Sequence, residues 1–421
     1  MKETHNSKDT SDMLRRFCLY GFVKNQKYFE PFLYLALLDK LSFAGVGMLI
    51  GFRELCVIVM EVPSGAVADV LGRRRAMIIS HACYIAAFVT FALAGAAWQL
   101  YAAMFLFSIG EAFRTGTHKA MIFAWLAGEG RGDEKTSIYG QTRSWSQLGS
   151  AMSIAIGATL VFVTQRYDIV FLLSTVPYTV NIVNFLTYPR DLDGAQTAGV
   201  KPGRMLQTMV RAVRQALGNR PLRRALAEAM TFNGLHKSSK EWLGPLLRVV
   251  ALQIPLFVFL TDRRREAILV GGVYIVLYFL SSYASRHAGL VVRRAGSVRR
   301  AGRWLWWINL ATFLLLAAGI LAGFMAIAIV ALVAMAVVQN FWRPIIVGRV
   351  AQYADESQTA TILSIESQSK TLFTALAAPL LGWTIGMMSE EMRFLPLAIL
   401  GIVITVIMLA TDKNNDGLHG R

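Results

Sequence analysis

Long apolar runs separated by short polar punctuation dominate the chain. A helix crossing a bilayer needs about 20 apolar residues, and runs of that length recur throughout. Six occupy the first part: Leu14–Leu38, Phe43–Val67, Ala76–Gly95, Trp98–Ile122, Tyr139–Val163 and Ile169–Tyr188. Six more follow: Leu226–Leu246, Ile268–His287, Leu305–Gly323, Ala326–Val347, Thr361–Ile385 and Phe394–Ala410. The pattern predicts an all-α polytopic membrane protein of twelve transmembrane helices. It has a six-helix bundle over residues 1–188, a basic linker over 189–224 and a second six-helix bundle over 225–421. The linker holds the breakers Asp191-Leu-Asp-Gly194 and Lys201-Pro-Gly203. One extra apolar piece, Val249–Leu260, is too short to span and reads as an external helix on the surface or the bundle.

Composition narrows the class. Of the 421 residues 55% are hydrophobic and only 16% charged, outside the range of soluble domains. This excludes a soluble enzyme with one peripheral anchor, and the long apolar stretches exclude a membrane β-barrel. The 43 Lys and Arg exceed the 26 Asp and Glu, giving a net charge of +17. They cluster between the apolar runs, which points to anionic membrane lipid rather than nucleic acid as the partner. One side carries Arg15, Arg16, Arg73–Arg75, Arg131, Lys135, the linker, Arg293, Arg294, Arg299, Arg300, Arg303 and Lys413. The other carries chiefly Lys40, Arg166, Arg263–Arg265 and Arg393. The positive-inside rule then predicts a cytoplasmic location for both termini and the linker, with Arg263–Arg265 the one cluster against it. Cys18, Cys56 and Cys83 have no CxxC spacing and read as buried thiols, so neither a disulfide nor a metal site is expected.

The two halves echo one another. Lys24-x-x-Lys27 in the first run recurs as Lys237-x-x-Lys240 in the seventh, and Ala112-Phe-Arg114 in the fourth as Phe341-Trp-Arg343 in the tenth. Arg143-Ser-Trp-Ser-Gln147 opens the fifth as Glu366-Ser-Gln-Ser-Lys370 opens the eleventh, and Arg73/Arg74 match Arg293/Arg294. Echoes at this regular offset indicate a duplicated six-helix unit, as expected of a secondary transporter.

After the second run the chain reads Gly65-Ala-Val-Ala-Asp69-Val-Leu-Gly72-Arg73-Arg74-Arg75. This resembles the signature loop of the major facilitator superfamily, Gly-x-x-x-Asp-x-x-Gly-Arg-(Arg/Lys)-(Arg/Lys), and stands between the second and third spans, as in that family. Glu61-Val-Pro63-Ser-Gly65 and Thr361-Ile-Leu-Ser-Ile-Glu366 are also similar to bacterial drug or general solute transporters of the superfamily. The resemblance covers the whole chain. It implies two bundles rocking about a central solute site lined by spans one, four, seven and ten. It also implies a bacterial inner membrane, a monomer, and gating roles for Gly65, Asp69, Gly72, Arg73 and Arg74. The Gly-Pro-x-x-Gly-Gly of proton-coupled drug antiporters is missing from span five, and their span-four Arg is not at its usual spacing. That weakens a drug-antiport reading.

Ionisable residues inside a bilayer are costly, so they line cavities or pair. Candidates for solute binding are Lys24, Lys27, Arg53, Arg114, Asn233, His236, Lys237, Lys240, Asn340 and Arg343. Their basic excess suits a small anionic or amphiphilic organic solute. Glu54 and Glu111, with Glu30 behind them, are candidates for coupling to a proton; Arg143 and Glu366 lie where a gating salt bridge would form. The competing reading is internal pairing, Lys27 with Glu54 and Arg114 with Glu111. Trp304, Trp306 and Trp307 read as an interfacial anchor, and Asp412–Gly417 as a solvated tail. There is no Walker loop, Gly-x-Ser-x-Gly or His-Glu-x-x-His, so an enzyme is not expected and no cofactor is called for. The reading is therefore a secondary transporter of a small solute driven by a proton or other ion. The alternatives are an exporter of drugs or lipophilic cations by proton antiport, and a non-transporting receptor or lipid scramblase on the same fold.

Overall fold

Helices follow one another from end to end of the computed structural model, which describes residues 2–115, 117–131, 134–193, 214, 218–253, 257–352 and 359–416. In chain order they are α1 (Lys2–Val23), α2 (Leu33–Leu38), α3 (Phe43–Leu71), α4 (Arg73–Leu93), α5 (Ala97–Arg114), α6 (Thr117–Gly128), α7 (Lys135–Thr164) and α8 (Asp168–Leu186). After a short 3-10 turn at Arg190–Asp193 come α9 (Arg220–Glu241), α10 (Leu243–Gln253), α11 (Asp262–Ala295), α12 (Val298–Leu321), α13 (Met325–Gln352), α14 (Thr359–Met387) and α15 (Leu395–Asp416). Most of the predicted linker, and the side chains of the Asp412–Gly417 tail, lie outside the described residues.

These helices account for the twelve spans, but not every span is one rod. Among the described residues seven helices are long and apolar enough to cross a membrane by themselves: parts of α3, α4, α7, α8, α11, α12 and α13. The first span is divided between α1 and α2, the fourth between α5 and α6, and the seventh between α9 and α10. Pro245 gives the reason for the third break. It has no N–H to donate to the carbonyl of residue 241, so the helix ends at Glu241 and restarts at Leu243. The segment read as an external helix from Val249 is thus the second half of span seven as far as Gln253, with Val250 and Ala251 buried. Beyond it Phe257–Leu260 form an irregular turn.

The chain divides into two compact units, residues 1–36 with 56–206, and residues 37–55 with 207–421. In the first, Phe17, Tyr20, Met121, Trp125, Phe185 and Tyr188 form a core in which α1, α6 and α8 meet. In the second, Phe232 stacks on Trp342 at 4.2 Å with Trp306 edge-on at 4.9 Å. This corrects the reading of the three tryptophans as one anchor: Trp304 and Trp307 are exposed, whereas Trp306 is a core residue.

Helices in lipid associate by close packing, which small residues permit. In the first unit a Cβ on Gly149 would lie 2.2 Å from the Phe22 carbonyl, and one on Gly21 would lie 2.6 Å from that of Thr142, so α1 and α7 touch backbone to backbone. In the second unit Gly47 of α3 meets Gly382 of α14 in the same way. Two of the arginines that run against the charge rule have acidic partners. Arg263 binds Asp39 and Glu266, and Arg265 lies 3.6 Å from Asp262.

Candidate functional site

The break in span one creates the principal feature of the first unit. Between α1 and α2 the backbone turns through Lys24, Asn25, Lys27 and Glu30 instead of continuing the helix. Irregular backbone at membrane depth is tolerated where it is enclosed in protein or lines a cavity, and here it does both. Gln26 is buried and donates to the Gly149 carbonyl at 3.2 Å. Lys24 and Asn25 line a cavity of about 270 Å³, with Phe17, Tyr20 and His118 on one side and Thr142, Arg143, Ser146, Gln147 and Ser150 of α7 on the other. The Lys24 ammonium lies 5.3 Å from the Tyr20 ring centre, and that ring lies 3.8 Å from His118. The cavity therefore combines two cations, several neutral hydrogen-bonding groups and an aromatic wall.

Span four supplies a fixed ion pair to the same unit. Arg114 donates to one Glu111 oxygen through Nη2, Tyr84 donates to the other at 2.5 Å, and Arg114 Nε donates to the Tyr84 hydroxyl at 3.2 Å. Both carboxylate oxygens are occupied, as the i, i+3 spacing allows. Among the described residues no carboxylate lies within salt-bridge distance of Lys24, Lys27 or Arg143. Arg143, expected as a gate, lines this cavity.

The second unit is organised differently. Glu54, on the first half of α3, is only 2% exposed; its Oε1 accepts from Arg53 at 2.6 Å and its Oε2 from Lys237 of α9. Arg53 also reaches Glu241 at 2.8 Å. The partners of Glu54 are thus Arg53 and Lys237, not Lys27, whereas the Arg114–Glu111 pairing has formed as the spacing suggested. Asn233 donates to Glu366 and accepts from Gln339, both at 2.7 Å, so Glu366 is tied to a neutral buried network. Asn340 donates to the Ala336 carbonyl of its own helix at 2.8 Å, and Arg343 is exposed. The Nδ1 of His236 is buried with no hydrogen-bond partner among the described residues, and Lys240 is partly buried near it.

The signature loop is built around a turn that only glycine makes easily. Gly72 has φ +91°, and a Cβ there would come within 2.7 Å of the Asp193 side chain. Asp193 occupies that space and accepts from the Arg74 amide at 2.8 Å, capping α4. Arg73 reaches the Ala120 carbonyl at 3.4 Å and Arg74 that of Tyr188 at 3.2 Å. Gly65 lies within α3; the Asp69 side chain is outside the described residues.

Sequence reading missed Asp193, and also the buried Glu228, which accepts from Arg224 at 2.8 Å and Arg349 at 2.7 Å. The i, i+4 spacing of Arg224 and Glu228 was the available signal. It missed Lys370 as well, four residues beyond Glu366 and within electrostatic reach of Lys237, Glu54 and Arg343. Among the described residues no cluster of His, Cys, Asp and Glu could hold a metal ion.

No curated protein matches the chain. Solved structures do resemble its fold. The nucleoside transporter NupG aligns with a TM-score of 0.75 at 12% identity, over 95% of this chain and 98% of that one. A POT family transporter in complex with 5-aminolevulinic acid aligns at 0.73 and 15%, over 95% and 96%. The peptide transporter POT in complex with sulfate aligns at 0.69 and 11%, over 95% and 94%. At such identities the likeness concerns the fold. The family model of the Major Facilitator Superfamily, however, matches residues 17–378, and with the glycine turn and its arginines this establishes that the chain belongs to that superfamily of multi-pass membrane proteins.

Proposed function

We propose that the protein is a secondary active transporter of a small anionic or amphiphilic organic solute, working by alternating access and coupled to protons. The observation that carries the solute class is the imbalance in the first unit. Glu111 is fully engaged by Arg114 and Tyr84, while Lys24 and Arg143 face a cavity with no carboxylate at bonding distance. A carboxylate or phosphate entering there would gain charge-assisted hydrogen bonds from Lys24 and Arg143, with Asn25, Gln147 and the serines orienting it. An aromatic or apolar body would rest against Tyr20 and Phe17. An exporter of lipophilic cations would instead need an embedded acid open to its cargo, and both oxygens of Glu54 and of Glu111 are already bound.

Coupling is assigned to these same acids. Protonating Glu54 would remove the charge that holds Arg53 and Lys237, and protonating Glu111 would free Arg114. The loop from Gly65 to Arg74, with Asp193 as its cap, is assigned to gating. A monomer in a bacterial inner membrane, with both termini in the cytoplasm, follows from the charge bias and the family.

The test is thermal stability of the purified protein against organic anions, zwitterions and lipophilic cations. A ligand that binds only the folded state at a hundredfold over its Kd stabilises by about 2.7 kcal/mol. Stabilisation by anions, lost in Lys24→Gln and Arg143→Gln, is expected. Stabilisation by lipophilic cations alone would overturn the assignment.

A further inference from the structure

The second half of span seven carries a feature that the transport reading does not use. Pro245, Arg248, Val249 and Leu252 recur at i, i+3, i+4 and i+7 and so share one face of α10. That face forms one wall of a cavity of about 410 Å³ in the second unit. Leu38 at the end of α2, Leu41 and Ser42 of the loop after it and Phe43 at the start of α3 form the next wall, and Glu390 and Arg393 of the loop before α15 complete the rim. A volume of this size accommodates a small organic molecule. Its floor is apolar and its rim charged.

The two arginines differ in availability. Arg248 donates to Asp39 at 2.8 Å and lies 3.1 Å from Glu266, so it is part of the wall. Arg393 lies over the Phe43 ring, 5.0 Å from its centre, and among the described residues its one carboxylate contact is Glu390 at 3.5 Å. Arg393 is 21% exposed but Glu390 is 80% exposed, and a contact at that distance with a hydrated carboxylate is worth little. An anion in the cavity could therefore take the guanidinium from Glu390 with two hydrogen bonds.

We propose that this cavity is a second binding site, separate from the Lys24 cavity, for an amphipathic monoanion whose head group meets Arg393 and whose short apolar body lies along Leu41, Phe43, Val249 and Leu252. On the orientation proposed above it opens to the outside. The same chemistry is offered by a free alkanoate and by the head and upper chain of an anionic phospholipid, and the experiment separates them.

Octanoate is titrated calorimetrically into the full-length protein in neutral detergent. Arg393→Gln removes the charge, Arg393→Lys keeps it, and Val249→Trp fills the cavity. All are compared in the Lys24→Gln background, so that binding in the first cavity is not what is read. Arg393→Gln and Val249→Trp are each expected to weaken octanoate about tenfold or more, and Arg393→Lys by less. Native mass spectrometry of protein purified from phosphatidylglycerol nanodiscs gives the lipid arm. Retention by the parent protein and loss in Arg393→Gln would assign the site to lipid. Octanoate affinity unchanged in both Arg393→Gln and Val249→Trp, together with equal lipid retention, would overturn the site. So would disappearance of octanoate binding on Lys24→Gln alone with no Arg393-dependent lipid. Unliganded melting temperatures identify any variant that fails to fold, and Arg393→Lys keeps the test open if Arg393→Gln is one.

Discussion

Lys24-x-x-Lys27 and Lys237-x-x-Lys240 are the same pattern in two settings, and their surroundings give them different work. Lys237 stands within α9 and binds a carboxylate, Glu54, that is almost wholly buried. Lys24 stands on broken backbone beside a cavity, and among the described residues no carboxylate meets it. In the second unit Arg53, Glu54, Lys237 and Glu241 are occupied with one another, so they hold α3 and α9 together. In the first, Glu111 is engaged by Arg114 and Tyr84, and among the described residues no carboxylate pairs with the lysine, which is what the proposed binding role rests on. Residue type alone does not decide between structural and binding roles; the nearest carboxylate does.

Removing Glu54 is the strongest way to break this contrast. Glu54→Gln would leave Lys237 without its counter-charge and Arg53 with Glu241 alone, next to one another in a largely buried site. Breaking a buried pair from one side costs about 3–5 kcal/mol, because the abandoned charge stays desolvated. The loss should appear as a large fall in melting temperature. Adding Lys237→Met to Glu54→Gln should recover part of it. If Glu54→Gln melts with the parent protein, the cluster is not a structural element and the contrast fails.

A glycine pair on α7 tests whether the first cavity depends on the contact between α1 and α7. Gly149→Ala would drive a Cβ into the Phe22 carbonyl, 2.2 Å away, where backbone cannot easily give. Overpacking of this kind costs about 1–3 kcal/mol. Gly140, on the same helix, has nothing within 4 Å of its Cβ position, so Gly140→Ala should stabilise by up to about 1 kcal/mol through helix propensity. Opposite signs in chemical unfolding are expected. Equal effects would show that the contact carries no weight.

How much of this was legible follows from sequence distance. The apolar runs, the signature loop and the Arg114–Glu111 pair are local patterns, and each stands where its spacing put it. The partners of Glu54 were not legible, because Lys237 is 183 residues away and nothing in either segment selects the other. Asp193 lies 119 residues from the amide it caps, and as a residue beside a glycine it read only as a turn former. The broken spans were missed because averaged apolarity passes smoothly over a few polar residues. Pro245 is the one visible marker of the second half of span seven, and a lone proline inside an apolar run does not say whether the helix stops or restarts. The Lys24 cavity needed the break in span one and the close approach of Gly149 together. Neither is a property of one segment.

Lys24→Gln sharpens the contrast from the other side. Since among the described residues no carboxylate depends on Lys24, stability should stay within about 0.5 kcal/mol, the usual range for changes that disturb no network. Affinity for the anionic solute should fall about tenfold, which corresponds to about 1.4 kcal/mol. A large fall in melting temperature with unchanged affinity would make Lys24 a second Lys237.

Arg131 and Glu134 supply the hydrated reference for both lysine pairs. They lie between α6 and α7, outside the membrane, with Arg131 Nε and Nη2 each 2.6 Å from a carboxylate oxygen. The hydrogen-bonded guanidinium holds the Glu134 carboxyl below its ordinary range, and Glu134 in turn raises Arg131. A depressed carboxyl contributes stability that is present above its unfolded value and disappears as pH falls through the folded one. At neutral pH, then, Glu134→Gln should lower the melting temperature only slightly, because an exposed pair is screened and pays side-chain entropy. The difference should vanish below the carboxylate range and shrink in high salt. A loss as large as that of Glu54→Gln, or one that persists in acid, would mean that geometry rather than burial sets the strength of ion pairs in this protein, and the separation drawn between its two lysine pairs would lose its physical basis.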